Sequence, residues 1–176
     1  MTHGKRKPPP LDAAGIDRLA LRYVERFATT RGRLAQYLAR KIYERGWDGP
    51  IVDPASVAER LAALGYIDDR AFADAKARSM GRRGLGARRI VGALRSYGVG
   101  AEETEQIAPD LAKHAAEAAL ALARRRHIGP FAIEPADRAG RERQLGIMLR
   151  AGHDLTLARR IVQMRPGDEI DPLLND

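Results

Sequence analysis

Residues 65–73 read Gly65-Tyr66-Ile67-Asp68-Asp69-Arg70-Ala71-Phe72-Ala73, and the chain then runs through a basic segment to Gly98. Between Lys76 and Gly100 there is no Asp or Glu, whereas Lys76, Arg78, Arg82, Arg83, Arg88, Arg89 and Arg95 are all cationic. Two helices joined by a glycine break account for this stretch. Gly65 can take the left-handed conformation that ends a preceding helix. Asp68 or Asp69 can cap the next, accepting orphan N–H bonds at the positive end of the helix dipole. Phe72, Ala75, Ser79 and Met80 then recur at helical spacing, up to a break between Gly81 and Gly86. A second helix sets Ile90, Val91, Leu94 and Tyr97 on one face and Arg88, Arg89 and Arg95 off it, and Gly98 closes it. The pattern predicts an apolar stripe to bury and a basic surface with no local acid.

The flanks repeat this grammar. Residues 1–12 lack periodicity and include three consecutive prolines, so they read as a flexible basic, proline-rich tail. Asp12 can cap a helix whose inward stripe is Ile16, Leu19, Ala20, Tyr23, Val24 and Phe27. A second helix carries Leu34, Leu38 and Ile42 inward and stops at Gly46, with Trp47 packing beyond the stop. Residues 48–54 form a loop, and Pro54 suits a first helical position after Asp53 as cap. Val57, Ala58, Leu61 and Leu64 supply the next buried face.

After the basic segment, Glu102, Glu103 and Glu105 open a short helix whose apolar content is little beyond Ile107. Pro109 marks a boundary before an alanine-rich helix carrying Leu111, Ala115, Ala118, Ala119 and Leu122. It ends in Arg124-Arg125-Arg126-His127, which its own dipole favours. A loop spans Gly129 to Pro135. Two further helices carry Leu145, Met148 and Leu149, then Leu157, Ala158 and Ile161, with Gly152 between them and Asp154 as cap. Residues 166–176 read as a frayed acidic tail.

The totals agree with an all-α chain. At 176 residues, aromatics are scarce at 5%, so packing falls to alanine and aliphatic side chains. A net charge of +8 points to an anionic partner, nucleic acid first. With no cysteine, disulfides and thiolate metal sites are excluded. No apolar run approaches the ~20 residues that span a bilayer, and no hydrophobic segment of a secretory signal follows the basic N-terminus, so the expected compartment is the cytoplasm.

One pattern returns along the chain. Gly32 and Gly46 stand fourteen residues apart, as do Gly84 and Gly98. Sliding one segment on the other puts Leu38 on Ile90, Ile42 on Leu94 and Trp47 on Val99; Gly152 can be placed on Gly98, and Ile161 then falls on Ile107. This predicts tandem three-helix repeats, about three, over residues 13–65, 66–109 and 110–165, stacked into an elongated, curved array.

Catalysis finds little support. Asp68 and Asp69 are the best candidates for an acid/base or metal-bound pair, but capping explains them more simply. The four histidines, His3, His114, His127 and His153, show no ligand spacing. The run Gly81 to Gly86 lacks the Gly-Lys-Ser/Thr ending of a phosphate loop. No enzyme, cofactor or metal is expected. A basic run is often a solvated face, yet here the acids that normally alternate with it are absent. No aromatic ladder accompanies it, so phosphates or carboxylates are indicated rather than stacked bases.

The run Gly65, Tyr66, Ile67, Asp68 and Asp69 with Phe72 and Ala73, then Gly84, Gly86, Ile90, Leu94 and Gly98, resembles the signature of the RecX family of recombination regulators. The resemblance is strong in the central third and looser across residues 16–164. It implies three tandem three-helix repeats and a bacterial cytoplasmic modulator. Such a protein lies in the groove of the RecA–DNA filament and restrains its growth, ATP turnover and strand exchange, within DNA repair, recombination and the SOS response. The implied partners are the RecA filament and single- or double-stranded DNA, bound weakly or without sequence preference, by a monomer. The third repeat departs from the pattern, with His153 after Gly152 where an aromatic is expected. The resemblance does not assign contact residues, so the arginines above rest on charge pattern alone. The alternative is a stand-alone DNA-binding protein using a helix-turn-helix-like pair that includes residues 87–97.

Overall fold

The computed structural model describes residues 9–174. Among them the regular structure is helical, and one isolated bridge pairs Leu11 with Trp47. The helices are α1 (Ala13–Arg26), α2 (Arg31–Arg45), α3 (Pro54–Ala63), α4 (Asp69–Arg82), α5 (Ala87–Ser96) and α6 (Ala101–Gln106). They continue as α7 (Ala108–Lys113), α8 (Ala115–Arg126), α9 (Arg138–Arg150), α10 (Leu155–Gln163) and α11 (Asp171–Leu174), with a 3₁₀ turn at Gly129–Phe131. Helix starts follow local chemistry. Asp12, Asp53, Asp137 and Asp154 each accept backbone N–H bonds at their helix N-termini, and Thr30 does the same for α2. Gly46, Gly65, Gly84, Gly98 and Gly152 all have positive φ where helices stop or turn.

The fold divides into two compact units. Among the described residues, one comprises the chain up to Phe72 together with Tyr97–Gly100, and the other comprises Ala73–Ser96 and the chain from Ala101 to Leu174. In the first, α1, α2 and α3 enclose Ile16, Ala20, Leu34, Leu38, Val57, Ala58, Leu61 and Ile67. In the second, Leu120, Leu122, Ala123, Met148, Ala158, Ile161 and Val162 from α8, α9 and α10, with Ile128 from the turn after α8, form the core.

Each unit contains a seat in which the start of one helix rests on the glycine stop of another. In the first unit, a Cβ on Gly32 would lie 2.7 Å from the carbonyl oxygen of Gly98. The Thr30 hydroxyl donates to Tyr97 O, and its oxygen accepts from Arg33 N at 3.1 Å. In the second unit Gly86, at the start of α5, lies against Gly152, where a Cβ would overlap backbone. Gly86 N donates to Ala151 O at 2.9 Å and Arg88 N to Gly152 O at 3.2 Å. Helix-start donors without an intrahelical partner therefore meet helix-end carbonyls that also lack one. His153 completes the second seat. It is 2% exposed, and its Nε2 lies 3.0 Å from Gly84 O. The imidazole that breaks the expected aromatic pattern is therefore buried with a carbonyl to satisfy it.

Several expectations need correction. Gly81 lies inside α4, and the break falls after Arg82. The inward side of α4 is Asp69, Ala73 and Ala77 at four-residue steps, while Ala75, two residues from either alanine and so on the far side of the helix, is exposed. Phe27 and Leu64 are 48% and 66% exposed rather than core. The alanine-rich helix is interrupted at His114, whose backbone leaves helical geometry and whose ring nitrogen bonds Asp110 O at 2.7 Å.

Of the expected N-terminal tail, residues 1–8 lie outside the described residues. Leu11 is 1% exposed and exchanges backbone bonds with Gly46 and Asp48, while Arg45 holds Pro9 O. The acidic C-terminal segment is also docked. Leu173 is buried and Gly167 N donates to Pro130 O; Asn175 and Asp176 lie outside the described residues.

Substituting alanine at Gly32 or Gly86 should destabilise the protein by about 1–3 kcal/mol in urea unfolding, through backbone overlap. Gly92→Ala, at an open position in α5 with nothing within 4 Å of its Cβ, should instead stabilise by roughly 0.5–1 kcal/mol. Burial holds the His153 imidazole below its ordinary pKa, against the opposing bond to Gly84. Its contribution is therefore present above the unfolded value of about 6.5 and lost as pH falls through the lower folded value. Urea midpoints measured from about pH 7.5 down to about pH 5 should fall more in the parent protein than in His153→Gln.

Candidate polyanion interface

The arginines picked out by their sequence pattern all reach solvent. On α4, Arg78 and Arg82 stand one turn apart on the side opposite Ala73 and Ala77, and both are exposed. Arg83 follows the helix and is exposed too. On α5, Ile90 and Leu94 are buried, which turns Arg88, Arg89 and Arg95 outward. Lys76 is half-buried beside the inward side of α4. Among the described residues, Arg78, Arg82, Arg83, Arg89 and Arg95 make no ion pair.

Arg88 has a different role from its neighbours. Its Nη2 donates to His153 O at 2.7 Å, which ties α5 to the start of α10. The Asp154 carboxyl is held below the usual range, first by backbone N–H bonds from Leu157 and Thr156 and lastly by the Arg88 charge. Arg88 is thus partly committed to the second seat.

The structure adds cations that the sequence explained only by a helix dipole. Arg125 Nη2 donates to Arg83 O, and Gly84 packs on the Leu122 backbone. The end of α8, with Arg124, Arg125 and Arg126 exposed, therefore lies beside the turn that follows α4. Arg124 rests over the Phe131 ring at 4.9 Å. The triple arginine is visible in the sequence, but the turn it faces is not.

Asp68 and Asp69 separate in function. Asp68 caps α4, its Oδ1 accepting from Ala71 N at 2.8 Å. Asp69 is not a cap. It is 6% exposed, and its two oxygens accept from Arg31 N at 2.9 Å and Arg31 Nε at 3.0 Å. One carboxylate therefore satisfies the start of α2 and fixes the Arg31 side chain, which also reaches Glu59 at 3.3 Å. The bond to Asp69 raises the Arg31 pKa above its ordinary value. Phe72 packs on Tyr97 at 5.6 Å between centroids, with Arg33 over the Tyr97 ring at 4.6 Å, whereas Tyr66 is 51% exposed. Among the described residues no three His, Asp or Glu side chains gather as metal ligands. No described helix is long and apolar enough to cross a membrane.

The two aspartates should separate in an unfolding titration. Asp69→Ala, which strands the α2 start and a half-buried guanidinium, should cost about 2–3 kcal/mol. Asp68→Ala, the loss of an exposed cap, should cost about 1 kcal/mol.

No family model matches the chain. The protein named regulatory protein RecX of Myxococcus xanthus is 29% identical over 174 residues, covering 93% of this chain and 92% of that protein. RecX of Halorhodospira halophila is 35% identical over 133 residues, covering 76% and 77%, and a RecX of Thermus thermophilus is 34% identical, covering 75% and 86%. The crystal structure of RecX from Lactobacillus salivarius superposes with a TM-score of 0.60 at 20% identity over 85% of this chain and 94% of that one, a likeness of fold. With identity at this level sustained over three-quarters of its length, the chain belongs to the RecX family of regulatory proteins.

Proposed function

We propose that this protein regulates a RecA-type recombinase by binding its filament on DNA, with the outward arginines of α4 and α5 as the contact. In this reading Lys76, Arg78, Arg82, Arg83, Arg89 and Arg95, joined by the end of α8, meet phosphates or carboxylates of the filament. Occupancy restrains ATP turnover, filament growth and strand exchange. The observation that carries the reading is the set of exposed guanidiniums without a carboxylate partner among the described residues. Guanidiniums that already had internal partners would have to break them before binding a polyanion; these do not.

The same reading holds that the chain acts in the cytoplasm as a monomer, without catalysis of its own, in DNA repair and recombination. It also divides the chain into repeats at residues 13–65, 66–109 and 110–165. The two seats support that division, since the contact of Gly32 with Gly98 recurs, one repeat further along, as that of Gly86 with Gly152.

The test is charge reversal at Arg78, Arg82, Arg89 and Arg95, sparing Arg88 because it holds His153. The parent protein should lower the ATPase of a preassembled recombinase filament; the Glu variant should not, with its helical circular dichroism unchanged. Each lost phosphate contact should reduce the salt slope of DNA binding by ~0.7–0.9. Undiminished inhibition together with an unchanged slope would show these arginines to be a solvated face. Sequence-preferring duplex binding with no effect on the ATPase would favour a stand-alone DNA-binding protein.

A further inference from the structure

Three aromatic rings line up along the seam between α1 and α2. Tyr23 stacks on Tyr37 with centroids 4.3 Å apart and planes 25° apart, and Phe27 follows at 5.2 Å, tilted by 52°. Cations flank the row. The Arg26 guanidinium carbon lies 5.4 Å from the Phe27 centroid, and Arg40 Cζ and Lys41 Nζ lie 5.8 and 5.9 Å from that of Tyr37.

The row is not core. Phe27 is 48% exposed because its backbone leaves α1 in an extended conformation, its N–H still bonded to Tyr23 O, which turns the ring beyond the last helical turn. Tyr23 and Tyr37 are half-buried at the edge of the first unit's core. The local charge is balanced only in part, since Glu25 stands beside Arg26 on α1. Glu44 engages both Arg40, at 3.7 Å, and Lys41, at 2.6 Å, and these pull its carboxyl below the usual range, the Lys41 bond foremost. Among the described residues Arg26 makes no ion pair, and neither does Arg22, one turn earlier on the same helix.

We propose that this row is a base-stacking site for single-stranded nucleic acid. Phe27 receives an unpaired base, while Arg26, with Arg22 one turn earlier on α1, takes the neighbouring phosphates. Exposed rings with adjacent cations suit a strand whose bases present free π-faces, whereas a duplex hides those faces except at its ends. An acidic peptide would use the cations and leave the rings without a partner. The site lies in the first unit and does not rest on the arginines of α4 and α5, so the two readings stand or fall separately.

Fluorescence anisotropy of the full chain with three labelled probes tests it: oligo-dT, an abasic deoxyribose-phosphate strand of the same length, and a hairpin duplex. The parent protein should prefer oligo-dT over the abasic strand by roughly five-fold to a hundred-fold. Phe27→Leu keeps bulk at an exposed position and should lose most of that preference without changing the salt slope. Arg26→Ala should instead lower the slope by about 0.7 and leave the preference in place. The four-arginine Glu variant should still prefer oligo-dT. Equal affinity for oligo-dT and the abasic strand, undetectable binding of oligo-dT, or an intact preference in Phe27→Leu overturns the proposal. Binding of a polyglutamate peptide that Phe27→Leu abolishes, with no preference for bases, would assign the row to a protein partner and overturn it as well.

Discussion

Gly32 meets Gly98, and Gly86 meets Gly152, at separations that leave no room for a side chain between the backbones. At both places a helix begins against another helix's glycine stop. Placing them in contact matches donors to acceptors: Gly86 N and Arg88 N find Ala151 O and Gly152 O, groups that would otherwise need water or side-chain caps. The approach is possible because Gly98 and Gly152 hold φ values of 73° and 93°, which both end a helix and expose its last carbonyls sideways. The two compact units each contain one such seat, and the packing of α1 to α3 and of α8 to α10 proceeds around it.

The seats explain which polar groups the interior tolerates. Thr30 is fully buried, yet it donates to Tyr97 O and accepts from Arg33 N. His153 is buried because Gly84 O is there to receive its Nε2 proton. Asp69 is buried because the α2 start and the Arg31 side chain both donate to it. In each case a polar side chain goes inside where a helix end has left a backbone group to be satisfied.

Local chemistry is legible in the sequence, and the pairing of distant ends is not. Asp12, Asp53 and Asp154 as caps, Gly46, Gly65 and Gly98 as stops, and Ile90 with Leu94 as the buried stripe of α5 all depend on neighbours within a turn or two. Asp69 reads as a second cap because its partner, Arg31, is 38 residues away. The spacing of Gly32 and Gly46 reads as a repeat, although it is Gly98 that Gly32 touches. A glycine inside the first turn of α2, where it weakens the helix and ends nothing, is the available sign of close backbone approach. The ring row escapes for the converse reason. Tyr23 and Phe27 recur at four, as core residues do, but the chain leaves α1 at Phe27 and carries that ring into solvent.

The distribution of acids follows from the same architecture. Asp12, Asp53, Asp68, Asp137 and Asp154 are held at helix starts, and Asp69 is locked onto Arg31. Asp17, Glu44 and Glu59 pair with cations of α2 and α3 in the first unit. Carboxylates engaged with backbone N–H groups cannot also neutralise arginines elsewhere without leaving helix-start donors unpaired. The net charge of +8 is therefore not spread evenly. Apart from Lys5, Arg6 and Lys7, it gathers on the outer sides of α4 and α5 and at the end of α8. The exposed arginines there are left without a carboxylate partner among the described residues, because the nearby acids are committed to helix ends.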